Sequence, residues 1–186
     1  MRSPTRLLHA WPALAMALAL AWPAAAAGNL EDLLQELQIV PLDRQPAPAF
    51  TLESLEGRKV SWSDYRDRPV LLYFWATWCP FCTRELPSTI EEVHREYGPR
   101  GLAVVAVNIL ESRNEVAIWV SQKKVTSTVL LDTDGAVTAA YRVTGTPTVV
   151  LVGRDGKLVG RAAGMRPWMS TAGRAFLTAL LRLSGR

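Results

Sequence analysis

The chain is poor in metal-binding and cross-linking side chains: its 186 residues include two cysteines and two histidines. A structural zinc ion takes four such ligands. Beyond the first 27 residues only His94 is available besides the cysteines, so no zinc site can be assembled. Two sulfurs leave copper open by count, although Met165 and Met169 lie far from the pair in sequence. No metal and no cofactor is expected. Lys and Arg are scattered rather than clustered, and no aromatic-basic ladder occurs, which removes the footprint of a nucleic-acid binder. Internal repeats are absent, and the longest apolar run, Ala10 to Ala21, is shorter than the ~20 residues a membrane-spanning helix needs.

That run belongs to a leader. Arg2 and Arg6 precede it, and Ala24 to Ala27 offer small residues for cleavage, the layout of a secretory signal peptide over residues 1–27. An uncleaved anchor is the alternative, but Pro12 and Pro23 bracket the run. No cysteine follows it to carry a lipid. Setting the leader's two arginines aside lowers the formal charge from +4 to +2, which points to no particular partner. Export leads to an oxidising compartment, where small proteins use cysteines in pairs as structural bridges. Here the pair is three positions apart, and so short a loop removes little entropy from the unfolded chain.

After Gly28, leucines at 30, 33, 34 and 37 predict a short helix, followed by a lead-in broken by Pro41, Pro46 and Pro48. Phe50 to Leu55 and Lys59 to Trp62 read as two strands around Gly57. Apolar runs at Val70 to Phe74, Leu102 to Val107 and Thr148 to Val152 alternate with amphipathic stretches, which argues for strands buried on both faces of a sheet. Helices are expected from Cys79 to about Tyr97, with a kink at Pro87, from Arg113 to Lys124, where Val116, Trp119, Val120 and Lys123 share a face, and at Gly135 to Tyr141. Asp155-Gly156 signals a hairpin that returns Leu158 to Ala162 antiparallel. A last helix packs Met169, Gly173, Phe176, Leu177, Leu180 and Leu181 along one side. The Trp and Leu stripes read as core.

Cys79-Pro80-Phe81-Cys82 falls where a buried strand gives way to a helix. Pro80 suits the first helical position, where its missing N–H would have no partner. Cys79 then sits at the helix N-terminus, where free N–H groups and the macrodipole favour thiolate over thiol, which makes it the nucleophile. Cys82, one turn further in, is placed to resolve a mixed disulfide held on Cys79. Phe81 reads as an apolar contact rim, with simple packing as the alternative. His94, among Glu91, Glu92, Arg95 and Glu96, reads as a surface residue.

The stretch from Phe74 to Pro87, with its Trp-Cys-Pro-Phe-Cys core, closely resembles the active site of the thioredoxin superfamily, and more narrowly its exported TlpA, ResA and CcmG-type branch. The resemblance extends from about Ala47 to the C-terminal helix. It implies an α/β, thioredoxin-like fold at residues 49–186: a central mixed sheet flanked by helices, with an N-terminal β-hairpin extension. Residues 28–48 form the helix and lead-in. It also implies a dithiol/disulfide cycle acting on protein disulfides. Pro147 matches the family's cis-proline, and the backbone of Thr146 the group that binds extended substrate; Trp78 matches the tryptophan flanking the nucleophile. Thioredoxin's buried aspartate is replaced by Tyr73, which cannot shuttle protons near neutral pH. Glu85 coincides with an acid found beside the cysteines in the ResA and CcmG-like branch. One turn from Cys82, it would take that thiol's proton if burial raises its pKa; the alternative is a solvated helix acid.

These expectations add up to a monomeric periplasmic reductase fed by a membrane dithiol carrier, with apocytochrome c or a copper-delivery protein as partner. The Pro80-Phe81 dipeptide lacks the histidine of the strongest oxidants. An oxidase or isomerase of exported proteins, and a copper chaperone, are the competing expectations.

Overall fold

The computed structural model describes residues 29–183, so the leader lies outside the described residues. The apolar runs become the middle of an eight-stranded mixed sheet. In chain order the elements are α1 (Leu30–Glu36), β1 (Val40–Pro41), β2 (Thr51–Ser54), β3 (Lys59–Ser61), β4 (Val70–Trp75), α2 (Pro80–Glu85), α3 (Glu91–Tyr97), β5 (Ala103–Ile109), α4 (Arg113–Lys123), β6 (Thr128–Asp132), α5 (Ala136–Ala140), β7 (Thr148–Val152), β8 (Leu158–Ala163) and α6 (Thr171–Arg182). Across the sheet the order is β1-β8-β7-β4-β5-β6-β2-β3. Every residue of β4, β5 and β7 is buried, as continuous apolar runs demand when helices cover both faces of a sheet.

β4, β5 and β6 run parallel, β7 runs antiparallel to β4, and β8 runs antiparallel to β7. The expected hairpin forms β2 and β3 and joins the sheet edge through antiparallel pairing of β2 with β6. Alternation along β4 separates the two faces. Tyr73 and Trp75 point toward α2 and α4, where Tyr73 bonds Glu85 and Trp75 meets Trp119 with ring centroids 4.8 Å apart. Phe74 points to the other face, against Tyr141 after α5, which also touches Phe50. α6 shares the first face: Tyr97 of α3 donates to the Arg174 carbonyl, and Arg174 pairs with Glu92 and Glu96.

Three local expectations need correction. The turn after α2 is not a simple kink at Pro87 but a π-helical segment, Leu86–Ile90, in which the Glu91 N–H reaches back five residues to the Leu86 carbonyl. Pro87 brings no N–H and its ring crowds the preceding turn, so the helix widens there, and the Ser88 hydroxyl takes up the Arg84 carbonyl at 2.7 Å. Val116, Trp119, Val120 and Lys123 do share one face of α4, which passes from buried at Val116 to exposed at Lys123. The acids around His94 are not all solvated: Glu91 is buried, and His94 is half-buried with Nδ1 unpartnered. Met169 precedes α6 and, like Leu181, packs half-buried against the core, while the buried side of α6 is Ala172, Gly173, Phe176, Leu177 and Leu180. β6 and the two-residue β1 have no counterpart among the strands expected from sequence.

Candidate active site

Cys79 ends the loop after β4 and caps α2; its Sγ accepts the Cys82 N–H at 3.1 Å. Pro80 occupies the first helical turn, as its fixed φ and missing N–H predict. The two cysteines are joined in a disulfide with Cα atoms 5.2 Å apart. Cys79 retains a trace of exposure and Cys82 none, 3% against 0%. Cys79 is thus the member of the pair nearer the surface. On reduction, the Cys82 N–H and the start of a helical run reaching Tyr97 stabilise a thiolate on Cys79.

Behind the pair lies Glu85, 1% exposed, one helical turn beyond Cys82. Its Oε2 accepts the Tyr73 hydroxyl at 3.1 Å and its Oε1 the Arg166 backbone N–H at 3.0 Å. Burial pushes the carboxyl above its ordinary range, because the charged form loses its water. The Arg166 N–H, the Tyr73 hydroxyl and the Arg166 charge oppose that rise without cancelling it. The Trp168 indole borders the same pocket; its N–H misses hydrogen-bonding geometry, yet its dipole also favours the charged carboxyl. Tyr73 is itself pushed far up, by burial and then by the neighbouring carboxylate, so its phenol stays protonated and acts as a fixed donor.

The register of the sheet assembles the remaining site residues. β4 pairs antiparallel with β7, Phe74 opposite Thr148, so the segment leaving β4 toward Cys79 emerges beside the segment entering β7 through Thr146 and Pro147. The Thr146–Pro147 peptide bond is cis. Pro147 is buried and its carbonyl accepts the Gly164 N–H at 2.7 Å. Neither the N–H nor the C=O of Thr146 is engaged by another backbone group among the described residues. Trp78 and Phe81 are 66% and 55% exposed, with the Arg84 guanidinium 6.0 Å from the Phe81 ring centre.

A second carboxylate, absent from the sequence reading, steadies the loop before Cys79. Glu111 accepts the Thr77 N–H at 2.8 Å, the Thr77 hydroxyl, and the Asn108 amide at 2.6 Å. The signal lay in Asn108, a buried polar residue next to the end of an otherwise apolar strand and therefore in need of a partner. Tyr73 was noted for what it replaces; its bond to Glu85 was not foreseen.

The model of the AhpC/TSA family matches residues 44–161. Thiol-disulfide oxidoreductase ResA of Bacillus subtilis strain 168 is 36% identical over 118 residues, 63% of this chain and 65% of its own length. The protein of the same name from Geobacillus thermodenitrificans is 37% identical over 112 residues, 60% of this chain and 64% of its length. The chain thus spans slightly less than two thirds of these two relatives. A structure from Chlorobium tepidum, assigned as thiol:disulfide interchange protein DsbE, superposes with a TM-score of 0.69 at 33% identity, covering 75% of this chain and 99% of that one.

Proposed function

The chain belongs to the AhpC/TSA family, and we propose that within it the chain works as an exported thiol-disulfide oxidoreductase that reduces disulfides in partner proteins. One observation carries the reading: a cysteine pair with its outer member capping a helix and a buried carboxyl of raised pKa one turn behind its inner member. ResA and DsbE are named for this chemistry.

In the reducing direction the Cys79 thiolate attacks a substrate disulfide, forming a mixed disulfide and releasing one substrate thiolate, which takes a proton from water. Cys82 then loses its proton to Glu85 and attacks the Cys79 sulfur. The second substrate thiolate leaves with that proton, and the Cys79–Cys82 disulfide closes. Two electrons have passed from the dithiol to the substrate. An external dithiol, of which a membrane carrier is the proposed form, must return them. Glu85 suits its role because burial raises the carboxyl's proton affinity above its ordinary range, which favours accepting a proton from Cys82 and returning it. The unengaged Thr146 backbone offers an edge to an extended substrate segment, as in strand addition.

The leader supports export to the periplasm, and among the described residues no helix is long and apolar enough to cross a membrane. Apocytochrome c, implied by the resemblance, is the first partner to test. Cys82→Ser should accumulate partners as mixed disulfides on Cys79, and failure to capture any counts against thiol exchange. Equilibration with glutathione tests direction: a potential near that of strong oxidants, about −120 mV, would refute the reductase.

A further inference from the structure

Six residues other than glycine adopt a left-handed backbone among the described residues: Gln38, Arg44, Asp67, Leu110, Lys124 and Arg142. Five are polar or charged. Leu110, at φ 58°, alone carries an aliphatic side chain. In this region Cβ crowds the following carbonyl, and an aliphatic side chain has no local hydrogen bond to offset the strain. Burial does not offset it either, because Leu110 is 65% exposed.

Strained residues persist where their neighbours over-determine them, and they concentrate at functional sites. The Leu110 N–H donates to the Asp132 carbonyl at 3.0 Å. The Asp132 carboxylate in turn accepts the backbone N–H groups of Val137 and Thr138, at 3.1 and 2.7 Å, fixing the turn beneath. On its other side Glu111 is tied to Thr77. The Leu110 side chain lies over Gly135, where an added Cβ would stand 3.2 Å from Cδ2. The backbone at Leu110 is therefore fixed, and its exposed apolar side chain stands beside Gly135.

Strand order says where it stands. β4 lies between β7 and β5. Cys79 follows β4, Thr146 precedes antiparallel β7, and Leu110 follows parallel β5, so all three emerge at one end of the sheet with the disulfide segment in the middle. Among the described residues, Trp78, Phe81 and Leu110 are three of the five exposed large apolar residues, and all belong to this end.

We propose that Leu110 is a specificity-determining residue: it receives an apolar side chain next to the target cysteine of a partner protein whose backbone lies along Thr146. The inference rests on the thiol-exchange reading and names the substrate class for it. A segment crossing the disulfide from Thr146 arrives over Leu110.

The test measures oxidation of the fully reduced protein by three oxidants: glutathione disulfide and two cystine-bridged peptides differing by Leu or Ser beside the cysteine. Wild type should favour the leucine peptide roughly fivefold, the preference that burying part of one apolar side chain supplies. Leu110→Gly and Leu110→Asn, both compatible with the left-handed backbone, should abolish that preference, while the glutathione rate holds and the urea midpoint rises as the backbone strain is relieved. Leu110→Met should keep it. Absence of a preference in wild type, or its survival in the Gly and Asn variants, overturns the proposal. So does equal slowing with all three oxidants together with a lowered midpoint, the mark of a merely structural residue. A wild type inert toward all three overturns the exchange reading itself.

Discussion

Replacing Glu111 tests whether the loop before the cysteines is held by one carboxylate. Glu111→Ala removes three hydrogen bonds. Thr77 is half-buried, so water can reach its N–H and hydroxyl and recover part of that loss. Asn108 is 0% exposed and its Oδ1 already lacks a partner, so its amide would be left buried and unsatisfied. Leaving such a group unpaired costs about 1–3 kcal/mol, and two bonds partly replaced by water add about 1 kcal/mol. A total of about 3 kcal/mol corresponds to a Tm lower by roughly 6–12 °C for a chain of this size. Glu111→Gln is the informative control. Its Oε1 can accept from Thr77 N–H and Asn108, and its amide can donate to the Thr77 oxygen, so all three bonds survive without the charge. The expected loss is then about 1 kcal/mol. Thermal and urea unfolding of the oxidised proteins measure both. An alanine variant within 1 kcal/mol of wild type, or a glutamine variant as damaged as alanine, refutes the reasoning.

Glu85→Gln should flatten one component of the pH dependence of stability. The folded carboxyl has the higher proton affinity, so wild type is relatively most stable below the unfolded carboxylate value and loses that margin as pH rises through the folded value. Urea midpoints from pH 4 to 8 should show a gap that opens in favour of glutamine with rising pH; a gap that closes would contradict it. Tyr73→Phe removes the hydroxyl donated to the Glu85 carboxylate, so the pH midpoint of Cys82 exchange should move upward, and a fall or no movement counts against the pairing. Glu91 has the opposite sign. Burial alone would raise it, but hydrogen bonds from Ser127 and Thr126 outweigh that and hold it below its usual range. Glu91→Ala should cost about 2–4 kcal/mol near neutrality, and the difference from wild type should shrink as pH falls through the folded value. Equilibrium unfolding at both extremes checks it.

Two carboxylates six residues apart on one helical run thus behave oppositely, and neither behaviour was visible in the chain alone. Apolar runs made β4, β5 and β7 legible, because a strand buried on both faces has no polar alternation. β6 escaped because only Val129, Leu130 and Leu131 mark it, too few to distinguish a strand from a loop between helices. The cysteine pair and its helix start were legible from Cys79-Pro80 alone. Whether Glu85 was solvated depended on residues 81 positions away, since the Arg166 N–H and Trp168 close its pocket. Glu91 read as one of a run of surface acids, yet the chain after α4 returns to bring Thr126 and Ser127 onto it. Local pattern carries burial where hydrophobicity enforces it. It does not carry the partners of a buried charge, which tertiary closure supplies.

The widened turn at Leu86–Ile90 has a consequence for how the helix can vary. Successive residues of an α-helix are rotated by about 100°, so one additional residue in a turn sets everything beyond it out of phase with everything before. Upstream, Cys82, Glu85 and Leu86 are aligned to the pocket beneath β4; downstream, Ile90, Val93 and Tyr97 are aligned to a different stretch of core. The π turn therefore sets the phase between the two halves of the helical run. Deleting one residue between 86 and 90 would remove that offset and force one face of the helix out of alignment.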